Sequence, residues 1–426
     1  MTTNRITKAA ILCLAIAGPA AATNGMRMTG FGPVQNSMGG VGVGVTLDGS
    51  TMLSNPAGLT EQEFRIDIGG TYFKPTVNYN AVESQLPPGM TGAVVAQPNV
   101  QLGSRRGGSP IPTFAFVYPV GNGITLGIGA FGVAGMGVDY AANLYGGETS
   151  TSYLQVRVTP ALGYKVSDRF SVGVALNAMA AQVGWNVASG FGQQPHETAT
   201  GLGIGATVGA KYVAAQWLTI GAAYETKSYF QDFTFDVRAH NGVNPANFQP
   251  VPFAASTDKL RFNQPMNATI GVAITPVDML VLGADVQWIN WSDTNGQDKP
   301  NFSANTSGAM PWDLGWSNQV VYKFGAQLRP IEKLAFRAGY NYGKMPLDAN
   351  CAFENLAFPA VSEHHFSTGV GYDFGKLTMN AGVMWSPTAT MSGSNANYPA
   401  QGGQAIKSYS TSMSQVAFDF GIAYRL

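Results

Sequence analysis

Fourteen amphipathic, strand-like segments run through this chain of 426 residues, and the spacers between them alternate between tight turns and long loops. Long spacers fall at about 75–110, 134–152, 186–200, 229–257, 290–318, 343–362 and 387–414. Between them come the turns Pro119-Val120-Gly121-Asn122-Gly123, Val166-Ser167-Asp168-Arg169 and Val213-Ala214-Ala215-Gln216. Thr275-Pro276-Val277-Asp278-Met279, Arg329-Pro330-Ile331-Glu332-Lys333 and a turn at Gly375 complete the series. Such a rhythm gives the two ends of every hairpin different surroundings. A soluble sandwich has no reason to keep it, whereas a barrel of the bacterial outer membrane does, with short periplasmic turns and long extracellular loops. The expected fold is therefore an all-β membrane protein, a 14-stranded antiparallel transmembrane β-barrel.

Composition agrees. Only 11% of residues are charged, against about 25% in a typical soluble domain. Beyond the N-terminus no run of 18 apolar residues occurs, which excludes helical spans. Low charge without long apolar runs fits strands whose lipid and lumen faces average out. At the N-terminus, Arg5 and Lys8 precede an apolar stretch from Ala9 to Ala17 and the small residues Ala20-Ala21-Ala22. Residues 1–22 read as a secretory leader. Its removal leaves 404 residues and takes the basic count from 24 to 22 against 24 acidic residues, a net charge of about −2. Basic residues are scattered, so nucleic acid is not an expected partner. Cys13 leaves with the leader, and Cys351 then has no cysteine to pair with. His196 and His240 lack metal-ligand spacing, and no metal or cofactor is expected.

Parity along the strands sets the two faces. Leu154, Val156, Val158, Leu162, Tyr164 and Val166 share one parity, against Gln155, Arg157, Thr159 and Lys165. Residues 280–289, 320–329 and 334–342 repeat the pattern, with Asp285, Gln287, Lys323, Gln327, Arg329, Arg337 and Asn341 on the polar side. A slip of one residue would put Arg157 or Lys323 into hydrocarbon at roughly 2–4 kcal/mol each. The charged side is thus the lumen, and Arg157, Lys259, Arg261, Lys323 and Arg337 are expected there, with Asp67, Glu225, Asp285, Glu363 and Asp373 as partners. Aromatic residues mark two depths: Tyr118, Tyr164, Tyr212, Tyr372 and Phe374 near the turns, Trp288, Trp291, Tyr342 and Trp385 near the loops. Phe418, Phe420, Ile422, Tyr424 and Leu426 alternate to the last residue, resembling the signal read by the barrel-assembly machinery, although Leu426 stands where Phe is usual.

Residues 23–62 do not read as strand. They carry Gly25, Gly30, Gly32, Gly39, Gly40, Gly42, Gly44, Gly49 and Gly58 among small and apolar side chains, and Thr46, Asp48 and Ser50 can cap short helical turns. The expected organisation is a leader over 1–22, a compact plug or periplasmic segment over 23–62, and the barrel over 63–426. The runs Asn24-Gly25-Met26-Arg27-Met28-Thr29-Gly30-Phe31-Gly32, Ser37-Met38-Gly39-Gly40-Val41-Gly42-Val43 and Ser54-Asn55-Pro56-Ala57-Gly58-Leu59 resemble the N-terminal hatch of the FadL/TodX family. So do Asp285-Val286-Gln287-Trp288-Ile289-Asn290-Trp291-Ser292, Arg337-Ala338-Gly339-Tyr340-Asn341-Tyr342 and the ending Gly421-Ile422-Ala423-Tyr424-Arg425-Leu426.

That resemblance implies a monomeric transporter of long-chain fatty acids or other hydrophobic compounds in the Gram-negative outer membrane, in contact with outer-membrane lipid and lipopolysaccharide. It also implies a hatch in the lumen, with Asn55, Pro56 and Ala57 as its most specific motif, and a lateral exit at an inward kink of the third strand. The third strand here runs from Ile124 to Gly132 and on through Ala134-Gly135-Met136-Gly137, so Gly129, Gly132 and Gly135 are the candidate hinge. A carboxylate head group needs a cation, and Arg157 and Lys323 are the candidates. Met26, Met28, Phe31, Phe131, Met179 and Met384 are candidates for the tail. Rival readings are an aromatic-hydrocarbon or alkane channel of the same fold, a general diffusion porin, and an outer-membrane hydrolase built on His364-His365. The last is weak, because adjacent residues on a strand face opposite ways.

Overall fold

The computed structural model describes residues 24–85, 100–141, 148–189, 192–243, 250–297, 299, 301–303, 314–351, 354–393 and 405–426. The expected leader lies outside them. Fourteen strands close into one antiparallel barrel. The first seven are β1 (Arg65–Gln85), β2 (Ser109–Gly121), β3 (Ile124–Met136), β4 (Thr149–Lys165), β5 (Phe170–Ser189), β6 (Gly192–Ala215) and β7 (Leu218–Glu225). The rest are β8 (Asn267–Val277), β9 (Leu280–Ile289), β10 (Gln319–Ile331), β11 (Leu334–Gly343), β12 (His364–Asp373), β13 (Leu377–Gly393) and β14 (Ala405–Arg425). Each pairs with its sequence neighbours, and β1 closes the ring by pairing with β14 from Arg65↔Arg425 to Gln85↔Ala405.

Side-chain parity does the sorting. Along β10, Val320, Tyr322, Phe324 and Leu328 are exposed on the outer wall, while Gln319, Val321, Lys323 and Gln327 are buried inside. Turn chemistry sets one end. Gly121, Asn122 and Gly123 take φ of 102°, 51° and 77°, which lets β2 reverse into β3 within three residues. Tyr118, Tyr164, Tyr212, Tyr372 and Phe374 ring this end at 40–60% exposure, as an interfacial belt requires.

The loop end differs from expectation in three ways. The strands run further: β5 and β6 stay paired up to Ser189↔Gly192, β13 and β14 up to Gly393↔Tyr409, and β1 continues to Gln85, pairing with Val100–Gly103. Backbone pairing continues past the hydrocarbon, where the apolar alternation that announces a strand is no longer needed. Trp291 is not an interfacial residue. It is fully buried beneath the loops, 5.0 Å from the Trp316 ring and against the backbone of Gly25, because the chain leaves β9 before reaching it. Lys259 and Arg261 do not face the lumen. They lie on the exposed face of a short loop strand, Ser256–Arg261, whose buried face carries Asp258 and Leu260. The intervening hairpins had reset the parity.

Candidate functional site

The barrel interior is occupied by the chain's own N-terminal segment. Pro33 opens a helix, α1 (Gly32–Ser37), Ser50 precedes α2 (Thr51–Ser54), and Asn55 accepts the Ala57 amide at 3.2 Å to start a 3-10 turn, Pro56–Glu61. Asn55 also donates to the carbonyls of Val43 (2.9 Å) and of Ala210 in β6 (3.1 Å). Where this segment meets the wall, the wall is glycine. A Cβ on Gly173 would lie 2.3 Å from Pro56 C, and one on Gly209 2.0 Å from Asn55 Oδ1. Across the lumen, Gly221, Gly325 and Gly339 stand equally close to Val43 O (2.1 Å), Met38 O (2.5 Å) and Gly39 N (2.0 Å). Inward glycines on β5, β6, β7, β10 and β11 thus mark the path of a second backbone.

Polar wall residues complete the attachment. Asp285 accepts the amides of Gly42 (2.8 Å) and Val43 (3.1 Å), Asn36 donates to Asp419 at 2.7 Å, and Gly49 N donates to Asp67 at 2.8 Å. Burial, with the Asp67 carboxylate nearby, pushes the Asp48 carboxyl of this segment up to about 6. Lys211 holds Glu61 at 2.7 Å, and the Arg65–Asp67 pair (2.7 Å) sits beside Asp48.

Of the two cations expected to meet a head group, Arg157 is almost fully buried on β4 and donates to Glu225 at 2.5 Å. Arg27, from the N-terminal segment, holds the other oxygen of the same carboxylate at 2.6 Å, and Asn267 adds a bond of 2.9 Å. Arg157 Nε and Nη1 make no hydrogen bond among the described residues. Lys323 donates to Thr29 O at 3.2 Å and lies opposite Asp285 in the β9–β10 ladder. Arg27, Glu225, Asp285 and Lys323 line one polar cavity of about 30 Å³, room for about one water molecule.

The tail candidates fall into three apolar groups, two towards the loop end and a third, around Phe131, reaching towards the turns. Met26 and Met179 belong to a cluster with Tyr153, Phe230, Phe233, Phe262 and Trp291. Met28 and Met384 join Phe73, Met391, Met413 and a tyrosine trio, Tyr79, Tyr140 and Tyr409, whose rings lie 4.9 and 5.9 Å apart. Phe131 packs with Met52, Leu53 and Leu59, and Phe31 touches both of the last two groups. Arg27 and the tyrosine trio were not singled out in the sequence. The trio is scattered over loop-end extensions, and Arg27 shows only as the single charge in a Gly/Met run.

The third strand departs from the wall. β3 pairs with β2 only from Gly121↔Ile124 to Thr113↔Phe131, although β2 continues to Ser109 along β1. From Phe131 to Met136 every residue is buried, so alternation has ceased, and the register with β4 shifts between Gly132 and Ala134. The displaced stretch pairs instead with the N-terminal segment. Met28 N donates to Val133 O and Gly135 N to Met26 O, both at 3.2 Å, around an Arg27↔Ala134 bridge. A Cβ on Gly132 would meet Ile111 Cγ2 at 2.4 Å, and one on Gly129 would meet the Phe131 ring at 2.3 Å.

Among the described residues, no three His, Cys, Asp or Glu side chains are grouped as metal ligands. His364 is exposed and bonded to Tyr340 Oη (2.7 Å), while its neighbour His365 is buried in the lumen.

A closed fourteen-strand barrel with an apolar outer wall and two sorted ends is a protein of the Gram-negative outer membrane. The chain belongs to the outer membrane protein transport protein family (OMPP1/FadL/TodX), whose profile matches residues 11–426. Members of that family are transport channels for hydrophobic compounds and fatty acids, not enzymes. Solved structures agree on the fold. A Pseudomonas aeruginosa FadL homologue superposes with a TM-score of 0.75 at 18% identity, covering 94% of this chain and 99% of that one. The toluene transporter TodX of P. putida gives 0.73 at 16%, covering 93% and 99%, and TbuX of Ralstonia pickettii, also a toluene transporter, 0.70 at 20%, covering 93% and 99%. A comparison with curated protein sequences finds no match.

Proposed function

We propose that this protein takes up hydrophobic small molecules, long-chain fatty acids or monoaromatic hydrocarbons, by passive diffusion through a barrel that residues 23–62 keep plugged as a hatch. Ligand enters among the extracellular loops and rests against the methionine- and tyrosine-rich clusters. It leaves sideways between β2 and β3 into the bilayer. Lateral release suits such cargo, because burying each methylene in hydrocarbon is worth about 0.8 kcal/mol, whereas water in the periplasm offers nothing comparable. The observation that carries the proposal is the third strand, which turns away from β2 after Phe131 and binds the hatch instead. The toluene-transporter relatives favour the aromatic cargo, and the family as a whole also covers fatty acids. No enzymatic role is assigned. Outer-membrane lipid, lipopolysaccharide and the assembly machinery are the proposed partners of a monomer.

The exit is tested at Gly132. Valine there collides with Ile111 and is expected to cut uptake of radiolabelled toluene or laurate by cells several-fold, with heat-modifiable, folded barrel on unboiled gels. Undiminished uptake by folded protein rejects the exit. The head-group role is tested at Arg157. Alanine leaves Glu225 still paired with Arg27 and Asn267, so the fold survives. Laurate binding is expected to weaken about tenfold, the size of one lost charge-assisted hydrogen bond, and dodecanol binding much less. Equal changes for both ligands dismiss a carboxylate contact. A general diffusion porin is disfavoured by the contact between the segment and glycines on five strands.

A further inference from the structure

Register places six polar side chains in one row across the inner wall of β9 to β14. Asp285 pairs with Lys323, Lys323 with Asn341, and Asn341 with His365. His365 lies one residue beyond the Phe366↔Trp385 pair, level with Ser386, and Ser386 pairs with Gln415. Asn341, His365, Ser386 and Gln415 are at most 1% exposed. Among the described residues, Asn341 Oδ1 and Ser386 Oγ make no hydrogen bond, and the His365 ring has the Gln415 side chain as its partner, which leaves its second nitrogen unsatisfied. An unpaired buried polar atom forfeits its hydration, so three within one row need an explanation.

The neighbours say what kind of molecule would supply it. Met384 and Ala417 flank the row towards the turns, Met413 flanks it towards the loops, and all three belong to the apolar cluster that holds Phe73 and the tyrosine trio. Met413 and Met384 are unbranched and repack readily. The row is neutral in sum, since Asp285 offsets Lys323, whose ammonium is already bonded to Thr29 O. A neutral imidazole offers one donor and one acceptor, a serine hydroxyl both, and an amide oxygen accepts only. A carboxylate, which only accepts, would face Asn341 Oδ1 and add an uncompensated charge. A hydrocarbon would leave every orphan atom unpaired. A hydroxyl group donates one bond and accepts others, and one lodged between His365 and Ser386, on neighbouring strands about 4.8 Å apart, can pair with both.

We propose that the Asn341–His365–Ser386–Gln415 row is a head-group subsite for a neutral hydroxyl, so that the cargo includes phenols or alcohols with an apolar body. This rests on the uptake reading above. The test is calorimetric titration of the full-length protein in amphipol with p-cresol, toluene and p-toluate, against empty amphipol. The wild type is expected to bind p-cresol about tenfold more tightly than either analogue. His365→Leu should bring the cresol-to-toluene ratio close to one, Ser386→Ala should lower it several-fold, and His365→Gln, which keeps a donor and an acceptor, should restore most of it. Toluene bound as tightly as p-cresol by the wild type, or a ratio unmoved by both His365→Leu and Ser386→Ala, overturns the subsite while leaving uptake intact. Tighter binding of p-toluate than of p-cresol overturns its neutral character. If none of the three binds, the monoaromatic half of the uptake reading falls and the subsite with it.

Discussion

Replacing Glu225 by alanine is expected to destabilise the protein by about 3–5 kcal/mol, the cost of removing one partner from a buried ion pair. Glu225 ends β7 and is the shared acceptor of Arg27, Arg157 and Asn267, so its loss takes the carboxylate from two buried guanidinium groups at once. Neither can swing into water without leaving the lumen, and salt screens such a buried pair poorly. Urea unfolding of barrels folded into phospholipid vesicles, followed by tryptophan fluorescence, reads the shift. Glu225→Gln should lose less, because it keeps an acceptor oxygen, and adding Arg157→Met to Glu225→Ala should recover part of the loss by deleting one orphaned charge. A shift below about 1 kcal/mol for Glu225→Ala would mean that the site is hydrated enough to behave like a surface pair. The same carboxylate ties the N-terminal segment (Arg27) to the wall (Arg157), so hatch and barrel share this part of their stability.

The parts of this molecule that lipid dictates were readable from the chain. Residues 334–342 alternate because one face meets hydrocarbon and the other the lumen, and the structure keeps that parity in β11. Arg157, Lys323 and Arg337 were placed inside by the same rule, and all three are buried there. The rule stops where lipid stops. Trp291, three residues from the outward-facing Trp288, turns inward once β9 has ended, and Lys259 and Arg261 sit beyond hairpins that the period of two cannot count through. Contacts that need register between strands were equally out of reach. Nothing in the sequence aligns His365 with Ser386, or sets Arg27 against Glu225, some 200 residues away, since the N-terminal segment has no period and takes its shape from the glycines facing it. The Gly/Met run signals a segment that must lie close to other backbone, but which strands receive it is a property of the closed barrel.

The largest functional effect is expected from Gly339→Val. The first atom of that side chain would stand 2.0 Å from Gly39 N and 2.2 Å from Met38 C, both main-chain atoms, so no rotamer change on the far side can relieve it. Gly325, its cross-strand partner, presses on Met38 O from the adjacent strand, so the segment cannot slide sideways either. Overpacking of this kind costs about 1–3 kcal/mol, which the fourteen paired strands can absorb but a segment held by scattered contacts cannot. The segment should therefore lift from β10 and β11 while the barrel stays closed. A barrel of this size is water-filled once emptied. In planar bilayers Gly339→Val is expected to show a steady conductance where the wild type shows little, and cells carrying it should become sensitive to large hydrophilic antibiotics. Gly107→Ala serves as the control, since a Cβ there meets nothing within 4 Å. A folded Gly339→Val barrel with wild-type conductance would show that residues 38 and 39 do not seal the lumen. The seal would then lie elsewhere in the segment, with the wall contacts of Asn55 against Gly209 the next to be probed.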